Sequence, residues 1–202
     1  HANKLALLER DHREAEIHAA LRQARRHFRS VAIDLIFGVP GESLDSWRVD
    51  LANAIDAGAH HVSTYGLTFE RGTAFWSRQL RGALQSLDEE LERALYEQAI
   101  EQLTGVGFEH YEVSNFARPG HTCRHNEAYW LGQSYFAAGP GAARYVDGRR
   151  EVNHRSTTTY IRRLAAGQSP VAEWEQLAPE DVARERLVFG LRQIPGIDPS
   201  TF

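Results

Sequence analysis

VAIDLIFGVPGES, residues 31–43, is the stretch whose reading decides the fold. Apolar side chains run almost without a break from Val31 to Val39, as in a strand of a parallel sheet buried on both faces. Pro40-Gly41 ends the strand. A helix follows, with Ser43 as N-cap and Trp47, Leu51, Ala54 and Ile55 on one face. Gly58 closes it as a C-cap. A strand turning sharply into a helix opens a βα unit.

The neighbouring segments repeat that pattern. Residues 61–69, HVSTYGLTF, read as a second strand, and Glu70–Thr73 as a turn. Ser86 or Asp88 caps a helix that runs to about Leu103, with Leu91, Leu95, Ala99 and Leu103 at helical spacing. Phe108–Val113 is the third strand. Upstream, Glu14–His27 has amphipathic spacing, with Asp11 as N-cap and Glu14 completing a capping box. The alternation implies parallel strands joined by right-handed crossovers. After Trp130 the pattern changes. Ala143–Tyr145 and Glu151–Asn153 flank Asp147-Gly148, a strong hairpin signal. Ser156 caps a helix through Ala166, Val171–Trp174 is a short strand, and Pro179 sits in the first turn of a last helix. The expectation is an α/β domain over residues 1–130 and a smaller hairpin and helical extension over 131–202.

The chain has 202 residues, 42% hydrophobic and 25% charged, with a net charge of -4. That balance gives no electrostatic footprint for nucleic acid and no basic patch for anionic lipid. No apolar run approaches the length of a membrane span, and no signal-peptide pattern opens the chain. The single Cys excludes an internal disulfide and points to a reducing cytoplasm. The absence of Met and the opening HANKLALLERDH read as a piece of a longer protein.

Several residues could carry chemistry. Asp34 interrupts an apolar strand, where a carboxylate must be satisfied or serve a function. FGVPGES is neither a Walker loop nor a dinucleotide fingerprint, and reads as a tight turn into a capped helix. Ser63, Thr64 and Tyr65 could line a cavity, and Gly66 could let a flat ligand approach the backbone. YEVSNFARPGHTCRHNEAYW, residues 111–130, reads as a strand followed by a loop rich in functional groups. His121, Cys123 and His125 suggest a metal but lack the paired motifs of structural zinc. A Cys-His nucleophile is conceivable, though no third group is evident. His125 beside Tyr129 and Trp130 also suits haem, where imidazole ligates iron and aromatic rings cover a macrocycle. His60 and His61 read as surface or strand-end residues.

Taken together, Asp34–Ser43 (DLIFGVPGES), residues 61–73 (HVSTYGLTFERGT) and residues 111–130 closely resemble the oxygen-independent coproporphyrinogen III oxidase family of radical S-adenosylmethionine (SAM) proteins. HNEAYW, residues 125–130, resembles the haem-binding motif of its HemW-type haem-chaperone branch, and ERLVFGLRQIPGID is similar to the family's entry into a C-terminal domain. The resemblance implies the second half of a partial (βα)6 TIM-like barrel followed by a smaller α+β and helical extension. It implies a 4Fe-4S cluster on three cysteines, with SAM on the free iron, in the intact protein. This chain has one cysteine, so it cannot build that cluster. By resemblance Asp34, Ile36 and Gly66 lie on the SAM side. His125 is the haem iron ligand, supported by Asn126, Tyr129 and Trp130. Cys123 is either a second iron ligand or a small buried residue, and the latter is preferred.

Two functions follow from the resemblance. In one, the intact protein binds haem and hands it to acceptor proteins. In the other, it oxidatively decarboxylates coproporphyrinogen III, with Arg118, Arg124 and Arg144 as carboxylate clamps. A third reading is a scaffold inactive on its own. Weak membrane association of the intact protein, and dimerisation through the strand edge at residues 31–39, stay open.

Overall fold

In the computed structural model of the chain, residues 2–201 are described. The chain falls into two compact units, one up to Thr122 and one from Cys123.

The first unit contains α1 (Ala2–Leu7), α2 (Glu14–His27), β1 (Ala32–Phe37), α3 (Leu44–Asp56), β2 (His61–Gly66), α4 (Ala74–Leu80), α5 (Glu89–Gly105), β3 (Glu109–Glu112) and β4 (Asn115–Ala117). The reading of residues 31–66 as a βαβ unit holds: β1 and β2 pair in parallel, from Ala32 opposite His61 to Phe37 opposite Gly66. The Ser43 hydroxyl accepts from the Ser46 amide and starts α3. Asp88, rather than Ser86, caps α5 by accepting from the Glu90 amide. At α2 it is Glu16, not Glu14, that reaches back, accepting from the Arg13 amide, so the helix starts after Arg13 rather than Asp11.

The third strand, β3, runs in the same direction as β1 and β2 as expected, but an unexpected fourth strand makes the sheet mixed. The sheet order is β1-β2-β4-β3. β3 turns through Val113-Ser114 into β4, which inserts antiparallel between β2 and β3. A bulge at Tyr111 lets two residues of β3 fit the short β4.

β1 is also not buried on both faces. It is an outer strand, and Ala32 and Asp34 are exposed while Phe37 is buried. The reason is that helices cover one face of the sheet. There Phe37, Val62 and Phe116 pack with Trp47 and Leu51 of α3 and with Leu95, Ala99 and Leu103 of α5. The Trp47 indole N–H donates to the Leu95 carbonyl at 2.8 Å, pinning α3 to α5. Alternation then sends Asp34 and Ile36 to the other face.

The second unit contains α6 (Arg124–Trp130), β5 (Ala143–Val146), β6 (Arg149–Asn153), α7 (Thr157–Ala165), β7 (Val171–Gln176), α8 (Pro179–Gly190) and a 3-10 turn, Pro199–Thr201. The hairpin read at Asp147-Gly148 is present, with both residues at positive φ, 51° and 74°. β7 completes an antiparallel sheet on β6. No helix among the described residues is long and apolar enough to cross a membrane.

Candidate functional site

The open face of the first sheet is polar. Asp34 lies opposite Ser63 and Ile36 opposite Tyr65, so these four side chains share a face. Asp34, Ile36 and Tyr65 help line a cavity of about 470 Å³ beside β1, which α1, α2 and α3 complete with Leu5, His18 and Asp50. Gly66 is exposed at the end of β2. A side chain there would point at Phe37 and at the Glu92 carboxylate of α5, each 3.5 Å away, on the helix-covered face.

His61 is the first residue of β2, a strand end as read, but it is buried and not on the surface. It is 3% exposed, and its Nε2 lies 2.7 Å from the Tyr111 hydroxyl. Its Nδ1 is buried with no hydrogen-bond partner. Burial lowers its pKa below the ordinary 6.5, and the nearby Asp34 and Glu112 carboxylates oppose the shift without overcoming it. Glu112 is also fully buried and accepts from Asn115 Nδ2 and the Ser114 amide. The sequence signal was the period-two run His61, Ser63, Tyr65, which places polar groups on one face. His60 stacks on His121 with ring centroids 4.6 Å apart. Its pKa is lowered by burial first, and then by the positive groups His121, Arg25 and Arg118.

The turn after β1 is held by a residue that sequence reasoning passed over. Glu42 is buried, and its Oε2 accepts from the amides of Gly38 (2.7 Å) and Val39 (3.2 Å). Its other oxygen pairs with Lys4, which also reaches Asp50 at 2.9 Å. Gly38 and Gly41 sit at φ 80° and 79°, the left-handed region that favours glycine.

HNEAYW is not a loop. Residues 124–130 form α6, with Cys123 at its N-cap. His125 is exposed and meets Tyr129 edge-on, centroids 5.0 Å apart and planes at 86°. The aromatic run continues from Tyr129 to Tyr135 (4.4 Å) and on to Tyr145 (6.1 Å). Asn126 is half-buried, and Trp130 is buried at 7% exposure where α6 packs on α8. His121, Cys123 and His125 do not gather: no group of three or more His, Cys, Asp or Glu able to hold a metal occurs among the described residues. One half-buried thiol does not fit a three-cysteine cluster. The exposed His125 imidazole, with the Tyr129 phenol beside it, is a donor that would suit a haem iron. Of the three arginines considered as carboxylate clamps, Arg118 lies over Phe108 and donates to the Val106 carbonyl, Arg124 is exposed, and Arg144 pairs with Glu151.

No family model matches the chain. It is 40% identical over 194 residues to the "Heme chaperone HemW" of Mycobacterium tuberculosis, covering 96% of this chain and 50% of that protein. It is 37% identical over 198 residues to the HemW of Synechocystis, covering 96% and 48%. By name these two relatives are haem chaperones, and this chain is similar to them over nearly its whole length. It is also 34% identical over 188 residues to the mitochondrial radical S-adenosyl methionine domain-containing protein 1 of Bos taurus, covering 93% and 39%. The chain therefore spans about half the length of the HemW relatives it matches. Among solved structures, the radical SAM enzyme coproporphyrinogen III oxidase (HemN) from Escherichia coli shares the fold, with a TM-score of 0.77 at 18% identity over 95% of this chain and 47% of that one.

Proposed function

We propose that this chain supplies the haem-binding part of a haem chaperone, a protein that takes up haem and delivers it to acceptor proteins. The observation that carries the reading is α6, where His125 stands exposed beside Tyr129 in a chain 40% identical to a HemW. The His125 imidazole would ligate the haem iron. The Tyr129 ring would flank the macrocycle, while half-buried Asn126 and buried Trp130 hold the helix in place.

Asp34 and Ile36 would lie against SAM on the open face of the first sheet, with Gly66 contributing backbone from β2. The 4Fe-4S cluster needs thiolates that this chain does not have. When bound, cluster and SAM would supply the radical chemistry of the wider family. The single thiol is consistent with a reducing cytoplasm. The unpaired edge of β1 is the surface through which a second copy would pair. The oxidase reading has less support, because an 18% identical structure speaks to fold alone.

Haem titration followed by Soret absorbance tests the proposal. The parent chain should bind haem saturably, and His125→Ala should bind about tenfold more weakly or worse. Equal affinity in the variant would remove His125 from the site.

A further inference from the structure

One end of the first sheet gathers positive groups. Backbone bonds fix the frame. The His60 amide donates to the Val31 carbonyl at 2.9 Å, and the Arg118 amide donates to the His60 carbonyl at 2.8 Å. Val31, His60 and Arg118 therefore form one row where β1 and β2 begin and β4 ends. His60 and Arg118 are two residues from Val62 and Phe116, so their side chains take the helix-covered face. The turn at Pro119-Gly120 brings His121 back, with its amide donating to the Arg118 carbonyl at 2.9 Å and its ring stacked on His60 at an interplanar angle of 26°. Arg25 arrives from α2 and donates to the Ala57 carbonyl at 3.4 Å.

The donors of this cluster are only partly used. The Val31 amide donates to His60 Nδ1 at 3.3 Å, so the neutral imidazole carries its proton on Nε2, as a donor. Arg25 caps the carbonyl that ends α3, and Arg118 caps the Val106 carbonyl that ends α5 while lying 4.2 Å from the centre of the Phe108 ring. Capping accounts for one N–H of each guanidinium, which has five. Charge is also unbalanced. The groups that add to burial in lowering the His60 pKa are His121, Arg25 and Arg118, all of them positive. The helix that delivers Arg25 brings no counter-charge, because the chain has four Arg and no Asp or Glu between Glu16 and Asp34. Like charges gathered in this way repel, and an anion among them relieves the repulsion.

We propose that His60, His121, Arg25 and Arg118 form a binding site for a dianionic phosphate group. Two permanent guanidinium charges match a dianion, and the unused N–H groups match its several oxygens. The site is on the other face of the sheet from Asp34 and Ile36, and it draws nothing from the haem reading.

Inorganic phosphate is the first probe. The readout is the Cε1–Hε1 NMR signals of His60 and His121, at about pH 8, where the group is dianionic, and at constant ionic strength. Both signals should move together and saturate, with a Kd of about 1 mM. Arg25→Gln should weaken binding about tenfold, and Arg25→Lys should retain most of it. Arg25 is exposed, so both variants should keep the parent's urea midpoint. Arg93 is the control: it is exposed on α5, about 20 Å from Val106 along the helix. Arg93→Gln should bind phosphate as the parent does. Acetate, a monoanion, should bind about tenfold more weakly than phosphate or worse. Methyl phosphate separates the sources. Binding at least as tight as that of inorganic phosphate supports the site as one for a phosphorylated molecule, and weaker binding supports it as one for the free ion. The proposal is overturned if the signals drift without saturating, if Arg25→Gln binds as tightly as the parent, if Arg93→Gln weakens binding as much as Arg25→Gln, or if acetate binds as well as phosphate.

Discussion

Replacing Glu42 tests whether the turn after β1 is held by a carboxylate acceptor. The Glu42 side chain is 3% exposed and satisfies the amides of Gly38 and Val39, both buried. Glu42→Ala leaves two N–H groups without their acceptor, at about 1–3 kcal/mol each. Water entering the vacated space offsets part of that, so a net loss of about 3 kcal/mol is expected. Glu42→Gln keeps one oxygen to accept the shorter Gly38 bond and loses the charge. Lys4 retains Asp50 at 2.9 Å, so the expected cost is only about 1 kcal/mol. Urea unfolding should show a midpoint fall of about 1–2 M for Glu42→Ala and well under 1 M for Glu42→Gln. Amide exchange gives a local reading: Gly38 and Val39 should exchange up to about 100-fold faster in Glu42→Ala. If the Gln and Ala variants cost the same, charge rather than acceptor geometry holds the turn. If neither amide changes its exchange rate, the argument fails altogether.

Three further outcomes follow from single residues. His61 is neutral in the folded chain because its pKa is depressed below 6.5, so the unfolded chain takes up a proton first as pH falls. Stability should be full above pH 6.5, fall as pH drops below that value, and level off once the folded-state His61 titrates. His61→Gln should flatten that decline in pH-dependent urea midpoints, and an unchanged decline would acquit His61. Gly58 closes α3 at φ 73°, where an added Cβ would also overlap the Arg25 guanidinium. Gly58→Ala should cost about 1–2 kcal/mol in chemical denaturation, and no loss would mean the turn relaxes freely. Trp130→Ala should cost about 3–5 kcal/mol in thermal or urea unfolding, as a buried aromatic does, and a loss below 1 kcal/mol would show that its burial anchors little.

What could be read from the sequence was what neighbouring residues decide among themselves. The strand at 31–39 shows as an apolar run stopped by Pro-Gly, α3 by its Ser43 cap, and the hairpin by Asp147-Gly148, because each signal acts within a few residues. β4 was missed because it has three residues and its Asn115 is held by Glu112, a partner met only after the chain turns back. α4 was missed because seven residues carry little periodicity, although Thr73 caps it through the Trp76 amide. The burial of His61 was invisible for the same reason as β4: it depends on Tyr111, fifty positions away. Asp34 was legible as a polar break in a strand, but not as an exposed one. Exposure depends on which face the helices cover, and that is set by the whole sheet.

The helical state of HNEAYW changes what the motif can do. In a loop its four candidate residues could all turn toward a ligand. In a helix, residues four apart share a side. His125 therefore pairs with Tyr129, and Asn126 with Trp130. His125 is open and Trp130 buried, while Asn126 and Tyr129 are both half-buried. On the proposed reading His125 is the residue open to a macrocycle, while Trp130 is buried where α6 packs on α8. A seven-residue helix is marginal in isolation. The buried Trp130 is therefore a condition for the exposed His125 to hold a fixed direction, and a loss of haem binding on changing Trp130 would report lost positioning rather than lost contact.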